Sequence, residues 1–361
     1  MASCGRSIGS RRVLARRLSV VILGAVMSLG AACEDLLLNW RLLRQPSKAS
    51  ETAPAPKEPV AEQPLRPDAV AEEGQITTDP SPELWPVVSR DGQSLFFTSR
   101  KTGNFELFRL DLANPRLQYQ LTGGGDTKCR SAISADGNTV VLEVLSDPRR
   151  DLFSLARLSL PERRMAPLVS RPIHVLTPDL SPNGRRLAFA LVEAPADAAK
   201  FASCLPPLHE ALGVTQPPLQ PSIWVASVDG TGPVYLGRGF YPRWSLDGRR
   251  LTFVSRATGN ADLWLVGVDG SNLTQLTSDP SDEIDPAWSP DGTRLVFASD
   301  RRVKGNFDLW LIDLRDGRLV QLTGDPGHDG GPAWSPDGRY VYFHSSRNGN
   351  WDLYRVIPLL R

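Results

Sequence analysis

Short runs of β-branched and aromatic residues, separated by turn residues, recur along the chain from about residue 74 to its end. In one copy, Arg294 to Ser299 and Asp308 to Ile312 are two such runs, and Gly, Asn and Asp separate them from their neighbours. Runs of this length with these boundaries are typical of β-strands. Outside residues 192–221, no stretch after residue 80 keeps a 3.6-residue period, so the pattern predicts an all-β chain.

A repeated turn sequence divides these runs into six copies. In every copy a Ser lies three residues before a reference Gly, and an Asp or Asn lies one residue before it. The reference glycines are Gly92, Gly137, Gly184, Gly248, Gly292 and Gly338. They are 45, 47, 64, 44 and 46 residues apart, a period typical of β-propellers. In Ser289-Pro290-Asp291-Gly292, Pro suits the first central position of a type I turn and Gly a left-handed position, which predicts a tight hairpin.

A complete copy contains four runs, which we name strands A to D in chain order. The sequence therefore predicts six blades, each a four-stranded antiparallel sheet. One apolar position of strand B recurs in all copies and is expected to fill the gaps between blades. The residues at this position are Phe97, Leu142, Phe189, Phe253, Phe297 and Phe343.

The repeated residues also point to a family. Pro-Ala-Trp-Ser-Pro-Asp-Gly occurs at 286–292 and 332–338, followed by an Asp-Leu-Trp or Asp-Leu-Tyr strand. This phrase resembles the repeat of the TolB-type β-propellers, and the resemblance extends from about residue 74 to the end. It implies a six-bladed ring around a central channel. It implies little about activity, because such propellers are also found in peptidases, pectin-degrading lyases and envelope proteins. We expect no counterpart here of the α/β domain that precedes the propeller in TolB.

The last copy lacks a fourth strand, and the start of the propeller supplies a candidate. After the run Trp351 to Val356 only five residues follow. Gln75 to Asp79 matches the ends of copies four and five, at 275–279 and 321–325. We therefore predict that Gln75 to Thr78 pairs with the last copy and closes the ring, which removes an unpaired edge.

The first 32 residues have the pattern of an export signal. Five arginines and no acid lie in residues 1–17, followed by an apolar stretch that ends in Leu29-Gly30-Ala31-Ala32-Cys33. This end resembles a bacterial lipobox, which implies lipidation of Cys33 and anchoring in a membrane. An ordinary secretory signal or a single membrane anchor has a similar pattern. The paired Arg11 and Arg12 leave twin-arginine export open beside the general route.

Residues 33–73 are rich in Pro, Ala and Glu and predict an extended tether between the anchor and a propeller at 74–361. Removing residues 1–32 leaves 36 basic and 40 acidic side chains. A net charge of minus four gives no reason to expect nucleic acid as a partner. We expect a monomer on the periplasmic face of a bacterial membrane, inner or outer.

Two cysteines remain beyond the anchor, Cys129 before strand A of the second copy and Cys204 in the long third copy. Both positions belong to loops on the same face of neighbouring blades, so a disulfide is reasonable in an exported protein, and two free thiols are the alternative. Residues 192–221, which lengthen the third copy, are either a small lid over the channel or a neutral embellishment.

Catalytic patterns are missing from the predicted propeller. The only Gly-x-Ser-x-Gly of the sequence lies at residues 5–9, within the predicted export signal, and there is no His-Glu-x-x-His and no phosphate loop. The acidic loop with Asp282, Glu283 and Asp285 could hold a cation, although solvated loop carboxylates are more common. We therefore predict no cofactor, no metal site and no enzymatic activity.

Two functions fit these features. The first is a lipid-anchored, non-catalytic scaffold that binds an envelope protein or a peptidoglycan-associated partner. The alternative is a carbohydrate-binding or lyase-like propeller with its site in the channel. For the first, we expect the partner on the face where the A strands begin, because equivalent positions there differ between copies. The residues expected on this face are Thr127, His174, Arg238, Asp282 and His328.

Overall fold

The computed structural model describes residues 70–147, 152–168, 174–192 and 221–359. The predicted export signal, Cys33, the tether up to residue 69, Cys204 and residues 193–220 lie outside the described residues. Within the described ranges the chain forms 24 strands and no helix. Their bounds are β1 Val70–Gln75, β2 Glu83–Val88, β3 Ser94–Ser99, β4 Glu106–Asp111, β5 Gln118–Gln120, β6 Thr127–Ile133, β7 Thr139–Asp147, β8 Leu152–Ser159, β9 Arg164–Pro167, β10 His174–Leu180, β11 Arg186–Val192, β12 Ser222–Ser227, β13 Val234–Arg238, β14 Phe240–Trp244, β15 Arg250–Ser255, β16 Asp262–Gly267, β17 Thr274–Gln275, β18 Glu283–Trp288, β19 Arg294–Val303, β20 Asn306–Asp313, β21 Leu319–Gln321, β22 Asp329–Trp334, β23 Val341–Ser345 and β24 Asp352–Pro358.

The strands form six antiparallel sheets of four. Blades 1 to 5 each use four consecutive strands, from β2–β5 to β18–β21, and blade 6 has the order β1-β24-β23-β22. The first strands of successive blades contact one another in the closed cycle β2, β6, β10, β14, β18, β22 and back to β2. These six inner strands therefore surround the central channel, and the predicted six-bladed all-β propeller is confirmed.

The ring is closed by the N-terminal strand, as the sequence predicted. β1 pairs with β24, with Gln75 opposite Tyr354 and Val70 opposite Pro358. The Ile76 N–H continues this pairing by donating to the Leu353 carbonyl at 2.7 Å. An edge that would otherwise be open is thereby covered.

The closing strand begins earlier than the sequence predicted. Residues 70–73 were assigned to the tether, and the structure places them in β1. The acidic residues that resembled tether composition are engaged with blade 6, because Glu72 pairs with Arg355 at 3.3 Å and Glu73 pairs with Arg347.

The repeated Ser, Asp and Gly build one kind of hairpin turn between the first two strands of each blade. In blade 5, the Ser289 hydroxyl donates to Asp291 at 2.5 Å and accepts the Arg294 N–H at 2.9 Å. Asp291 accepts the Thr293 N–H at 3.0 Å. Gly292 has a φ of 67°, a left-handed conformation in which a side chain would be strained. These bonds explain why the three residue types recur together.

The hydrophobic core lies between the blades. The recurrent position of the second strand is buried in every blade, at Phe97, Leu142, Phe189, Phe253, Phe297 and Phe343. Trp244, Trp288 and Trp334 are buried on the inner strands of blades 4 to 6. Their recurrence is accounted for by packing alone.

Candidate functional site at the channel centre

Each inner strand is interrupted near its start by an irregularity in its pairing with the second strand. In β18, for example, the register shifts between Ile284 and Ala287. Such bulges turn a side chain away from the regular pleat of the sheet. The bulged residue lies seven positions before the reference Gly in each blade. These six residues, the channel ring, are Trp85, Arg130, Thr177, Tyr241, Asp285 and Gly331.

The backbone of the channel ring is strained. Trp85, Thr177, Tyr241 and Asp285 have φ values of 57°, 50°, 53° and 52°. A left-handed conformation costs a residue with a side chain about 1–3 kcal/mol, and such residues cluster at functional sites. The strain is therefore a reason to look for function here.

Arg130 spans the channel between blades. Its guanidinium lies 3.5 Å from the ring centre of Trp85 in blade 1 and 4.4 Å from that of Tyr241 in blade 4. Nη2 donates to the Tyr241 hydroxyl at 2.8 Å and is 3.5 Å from Asp285 Oδ1 in blade 5. Because blades 2 and 5 are opposite in a ring of six, this one side chain bridges the channel. Arg130 is only 4% exposed.

Two buried groups support this arrangement. His344 of β23 packs edge-on against Trp85 with ring centres 4.5 Å apart, and its Nδ1 accepts the Trp85 N–H at 3.3 Å. Gly331 is needed here because a Cβ atom would lie 2.6 Å from a His344 carbon. Glu143 of β7 accepts the Thr177 N–H.

Burial determines the charge of these groups. It lowers the pKa of His344 well below 6.5, and the nearby Arg130 charge lowers it further. Burial also raises the pKa of the Tyr241 hydroxyl and of the Glu143 carboxyl, while Arg130 opposes both shifts. At neutral pH the imidazole and the phenol are therefore uncharged, whereas Arg130 remains a cation.

The chemistry of this cluster favours binding of an anion. A permanently charged guanidinium lies beside two uncharged aromatic rings, with a single long contact to the Asp285 carboxylate. Arginine can pair with planar anions through two parallel hydrogen bonds. Within the described residues, no three His, Cys, Asp or Glu side chains are grouped so that they could hold a metal ion.

Asp282 and His328 of the predicted binding face lie at blade junctions. Asp282 forms ion pairs of 3.4 Å with Arg256 and with Lys304. His328 stacks between Phe307 and Trp351, with ring centres 6.4 and 6.3 Å away. Both side chains thus contact residues of neighbouring strands and loops in adjacent blades.

The other predicted face residues are spread over blades 2 and 3. Thr127 and His174 begin the inner strands β6 and β10, and the side chain of His174 is outside the described part of the chain. Arg238 ends the outer strand of blade 3, where it pairs with Ser222, and only Gly239 separates it from β14. Arg238 therefore belongs to blade 3 and not to a loop of blade 4. The role of all five residues in binding stays a prediction.

Cys129 lies on the inner strand of blade 2 and is disulfide-bonded. Its partner is outside the described residues, among which Cys129 is the only cysteine. The pairing with Cys204 therefore stays a prediction.

The channel ring was not predicted from the sequence, although a signal for it was present. Five of the six positions are followed by Pro, at residues 86, 178, 242, 286 and 332. Proline cannot donate to the sheet and marks bulges in strands. Within a repeat that keeps its Ser and Gly in every copy, the residue before this Pro differs each time.

Comparisons with known proteins agree with the fold. Residues 220–305 match the TolB beta propeller domain. A segment of 53 residues, 15% of this chain, is 42% identical to a TolB homolog of Chlorobaculum tepidum and spans 12% of it. The solved structure of a putative TolB from Agrobacterium tumefaciens aligns over 79% of this chain and 93% of its own, with a TM-score of 0.58 and 22% identity.

Enzymes are among the similar proteins, which overturns one prediction. A segment of 129 residues is 32% identical to an uncharacterized peptidase of Bacillus subtilis, covering 34% of this chain and 17% of that protein. An oligogalacturonate lyase of Vibrio parahaemolyticus aligns over 81% of this chain and 95% of its own, with a TM-score of 0.53 and 14% identity. The prediction that the protein is not an enzyme was wrong, because missing sequence patterns do not exclude activity in a propeller that enzymes also contain.

The matched segments span only 17% and 12% of these first curated relatives, so their activities are not assigned to this chain. The matched repeats and the six closed blades together identify the described part of the chain as a TolB-like six-bladed β-propeller.

Proposed function

We propose that this protein is a TolB-like propeller of the bacterial cell envelope that binds a protein partner on the face where the inner strands begin. We call this the mouth face, and it includes Arg238 and Lys304. The opposite face carries the Ser-Asp-Gly hairpins and is called the turn face. One observation carries the proposal: Arg130 bridges the channel near the mouth face, so that face has a closed, polar floor that differs in every blade.

The asymmetry of this floor supports a specific partner. The channel ring places a cation, a carboxylate, two aromatic rings, a hydroxyl and a glycine at six equivalent positions. A repeat that only needed a stable ring could use one residue type six times. A single partner bound in one orientation requires such differences between blades.

An envelope location is supported by the predicted export signal and the lipobox-like end at Cys33, and by a match to a Tol-Pal system protein TolB of Albidiferax ferrireducens, 36% identical over 50 residues. Within the part of the chain that the structure describes, no helix is long and apolar enough to cross a membrane.

Photocrosslinking in cells tests the binding face. A photoreactive amino acid is placed at Arg238 on the mouth face, and at Arg249 on the turn face as the matched control, since both arginines are exposed. We expect one specific crosslinked band from position 238 and none from position 249. A specific band only from position 249 would contradict the proposal.

A second candidate function is binding or cleavage of an acidic oligosaccharide in the channel. Two observations favour it: the lyase of Vibrio parahaemolyticus shares the fold, and Arg130 and Tyr241 meet at the channel centre. Purified protein should then bind or cleave oligogalacturonate, with a new unsaturated product detected by its ultraviolet absorbance. If the protein neither binds oligogalacturonate nor forms this product, the candidate function is ruled out.

A further inference from the structure

We propose that Arg130 is a receptor for a carboxylate group of the protein partner, which binds the edge of the guanidinium that Asp285 and Tyr241 leave unused. The inference rests on the proposed partner binding at the mouth face and specifies its chemistry.

The donors of Arg130 are only partly used. A guanidinium has five N–H groups. Both hydrogen bonds of Arg130 to described residues are donated by Nη2. Its Nε is buried and has no hydrogen-bond partner among the described residues. A buried donor without a partner costs about 1–3 kcal/mol, so an acceptor supplied by a ligand would relieve this cost.

The internal partner of Arg130 is a weak one. The single contact to Asp285 is 3.5 Å long, at the limit of a hydrogen bond, whereas arginine and a carboxylate can form two short parallel bonds. Asp285 also has a left-handed backbone. The ion pair therefore does not saturate the guanidinium.

The neighbouring rings and the guanidinium plane limit the directions from which an anion can bind. The ring centres of Trp85 and Tyr241 lie 3.5 and 4.4 Å from the guanidinium of Arg130, and the Tyr241 hydroxyl accepts a hydrogen bond from its Nη2. All five N–H bonds lie in the guanidinium plane and point outward along its edge. A planar carboxylate in that plane fits the remaining donors, while a lysine ammonium would lack this geometry.

The charges around Arg130 are compatible with the binding of one added anion. The acidic side chains near Arg130 are Asp285 and Glu143, and burial raises the pKa of Glu143 and so favours its neutral form. A ligand carboxylate would be repelled mainly by Asp285. Replacing Asp285 with Asn should therefore strengthen ligand binding, although it removes an ion pair of the folded protein.

Calorimetric titration of the purified full chain at pH 7 tests the inference. The probes are a tripeptide with a free C-terminal carboxylate, the same tripeptide as its amide, and digalacturonate. We expect the acid peptide to bind at least ten times more tightly than the amide. Arg130→Gln should abolish this preference, and Asp285→Asn should increase the affinity for the acid peptide at least threefold.

Two residues with buried side chains near the junction between blades 4 and 5 provide matched controls. Arg301 is also stacked on an aromatic ring, 4.9 Å from the centre of Trp310, and it pairs with Glu283 at 3.0 Å. Asp262 is a buried acid of β16. Arg301→Gln and Asp262→Asn should leave the affinities for all three probes unchanged.

The outcomes separate this inference from the proposed function. Equal binding of acid and amide, or an unchanged or lower affinity in Asp285→Asn, overturns the role of Arg130 even where Arg130→Gln does not fold. Binding of digalacturonate in preference to the peptide overturns the assignment to a protein carboxylate and favours the second candidate function. Crosslinking from position 238 would persist in either case if a protein binds the mouth face by other contacts.

Discussion

Glu106 of β4 pairs with Lys128 of β6 at 3.2 Å, and this buried ion pair joins blade 1 to blade 2. The position of Lys128 is acidic at three other junctions, where Glu83, Glu283 and Asp329 begin the inner strands. These three acids are buried near further carboxylates. One junction is thus neutralised by a buried lysine, and the others depend on protonation or on the nearby Lys101, Arg301 and Arg347.

The acidic junctions predict that stability falls as the pH rises. Burial raises the pKa of Glu283 from 4.5 to about 9 and that of Glu83 to about 7. A carboxyl group whose pKa is higher in the folded state stabilises it fully below the unfolded value and loses this contribution as the pH rises through the folded value. We expect the melting temperature to fall between pH 5 and pH 9, and Glu283→Gln to make this fall smaller.

Glu162 offers a control, because its side chain is exposed on the surface of blade 2 and is not buried at a junction. Glu162→Gln should leave the pH dependence of melting unchanged. Differential scanning calorimetry across the pH range measures both variants. A wild-type melting temperature that is flat or rises from pH 5 to pH 9 would show that the junction acids do not control stability.

The hairpin turns predict a cost for losing a single hydroxyl. Ser289→Ala leaves the Arg294 N–H without its acceptor and removes one of the donors to Asp291. We expect the free energy of unfolding to fall by about 1–3 kcal/mol in chemical denaturation. Ser271 in an exposed turn serves as the control, since its hydroxyl donates to Asp269 and accepts only from the exposed Asn272 side chain, and not from a backbone N–H. Equal effects of Ser289→Ala and Ser271→Ala would speak against this role of the hairpin.

Much of the fold could be predicted because it is repeated. The hairpin turn of Ser, Asp or Asn, and Gly recurs in all six copies, and its hydrogen bonds are local, so the residues that define it are close in the sequence. The closing strand was found for the same reason, since Gln75 to Asp79 repeats the ends of two other copies. Its start was missed because Glu72 and Glu73 are stabilised by Arg355 and Arg347, almost 300 residues away.

The channel ring could not be predicted in the same way. Arg130, Tyr241 and Asp285 come from blades 2, 4 and 5, and only the closed ring brings their side chains together. The prolines marked the bulges, but the direction of a bulged side chain depends on tertiary structure. Repetition predicts a scaffold well and gives little information on what distinguishes one copy from another.

The closing strand predicts a large effect for Arg347. This side chain pairs with Asp329 at 3.1 Å and Asp325 at 2.8 Å, and it also contacts Glu73 of β1. Arg347→Ala leaves the buried Asp329 without its cation, so we expect the free energy of unfolding to fall by about 3 kcal/mol.

Arg355 of β24 is the matched control for Arg347, because it also pairs with an acid of β1, Glu72, but at an exposed site. Surface pairs contribute less than about 1 kcal/mol, so Arg355→Ala should lower the free energy of unfolding by less than this amount.

A chain that begins at residue 77 should melt many degrees below one that begins at residue 69, because it lacks β1. If these two chains melt at the same temperature, β1 does not close the ring.

The predicted anchor depends on Cys33. Cys33→Ser removes the thiol that would carry the lipid, so we expect the protein to lose fatty-acid labelling and to leave the membrane fraction or remain unprocessed. Metabolic labelling with a fatty-acid probe, followed by fractionation, measures this. An unlabelled wild-type protein in the soluble fraction would contradict the lipid anchor and favour an ordinary secretory signal.

The disulfide of Cys129 predicts a link to the segment that follows β11. Cys129 lies on the inner strand of blade 2, next to Arg130, and is almost fully buried. We expect peptide mass spectrometry without reduction to find Cys129 joined to Cys204. Cys204→Ser should then leave Cys129 as a free thiol and lower the melting temperature, because the bridge no longer restricts the unfolded chain. Ser203→Ala, one residue away, controls for local changes in the segment. A bridge from Cys129 to another cysteine, or two freely alkylated thiols, would contradict the pairing.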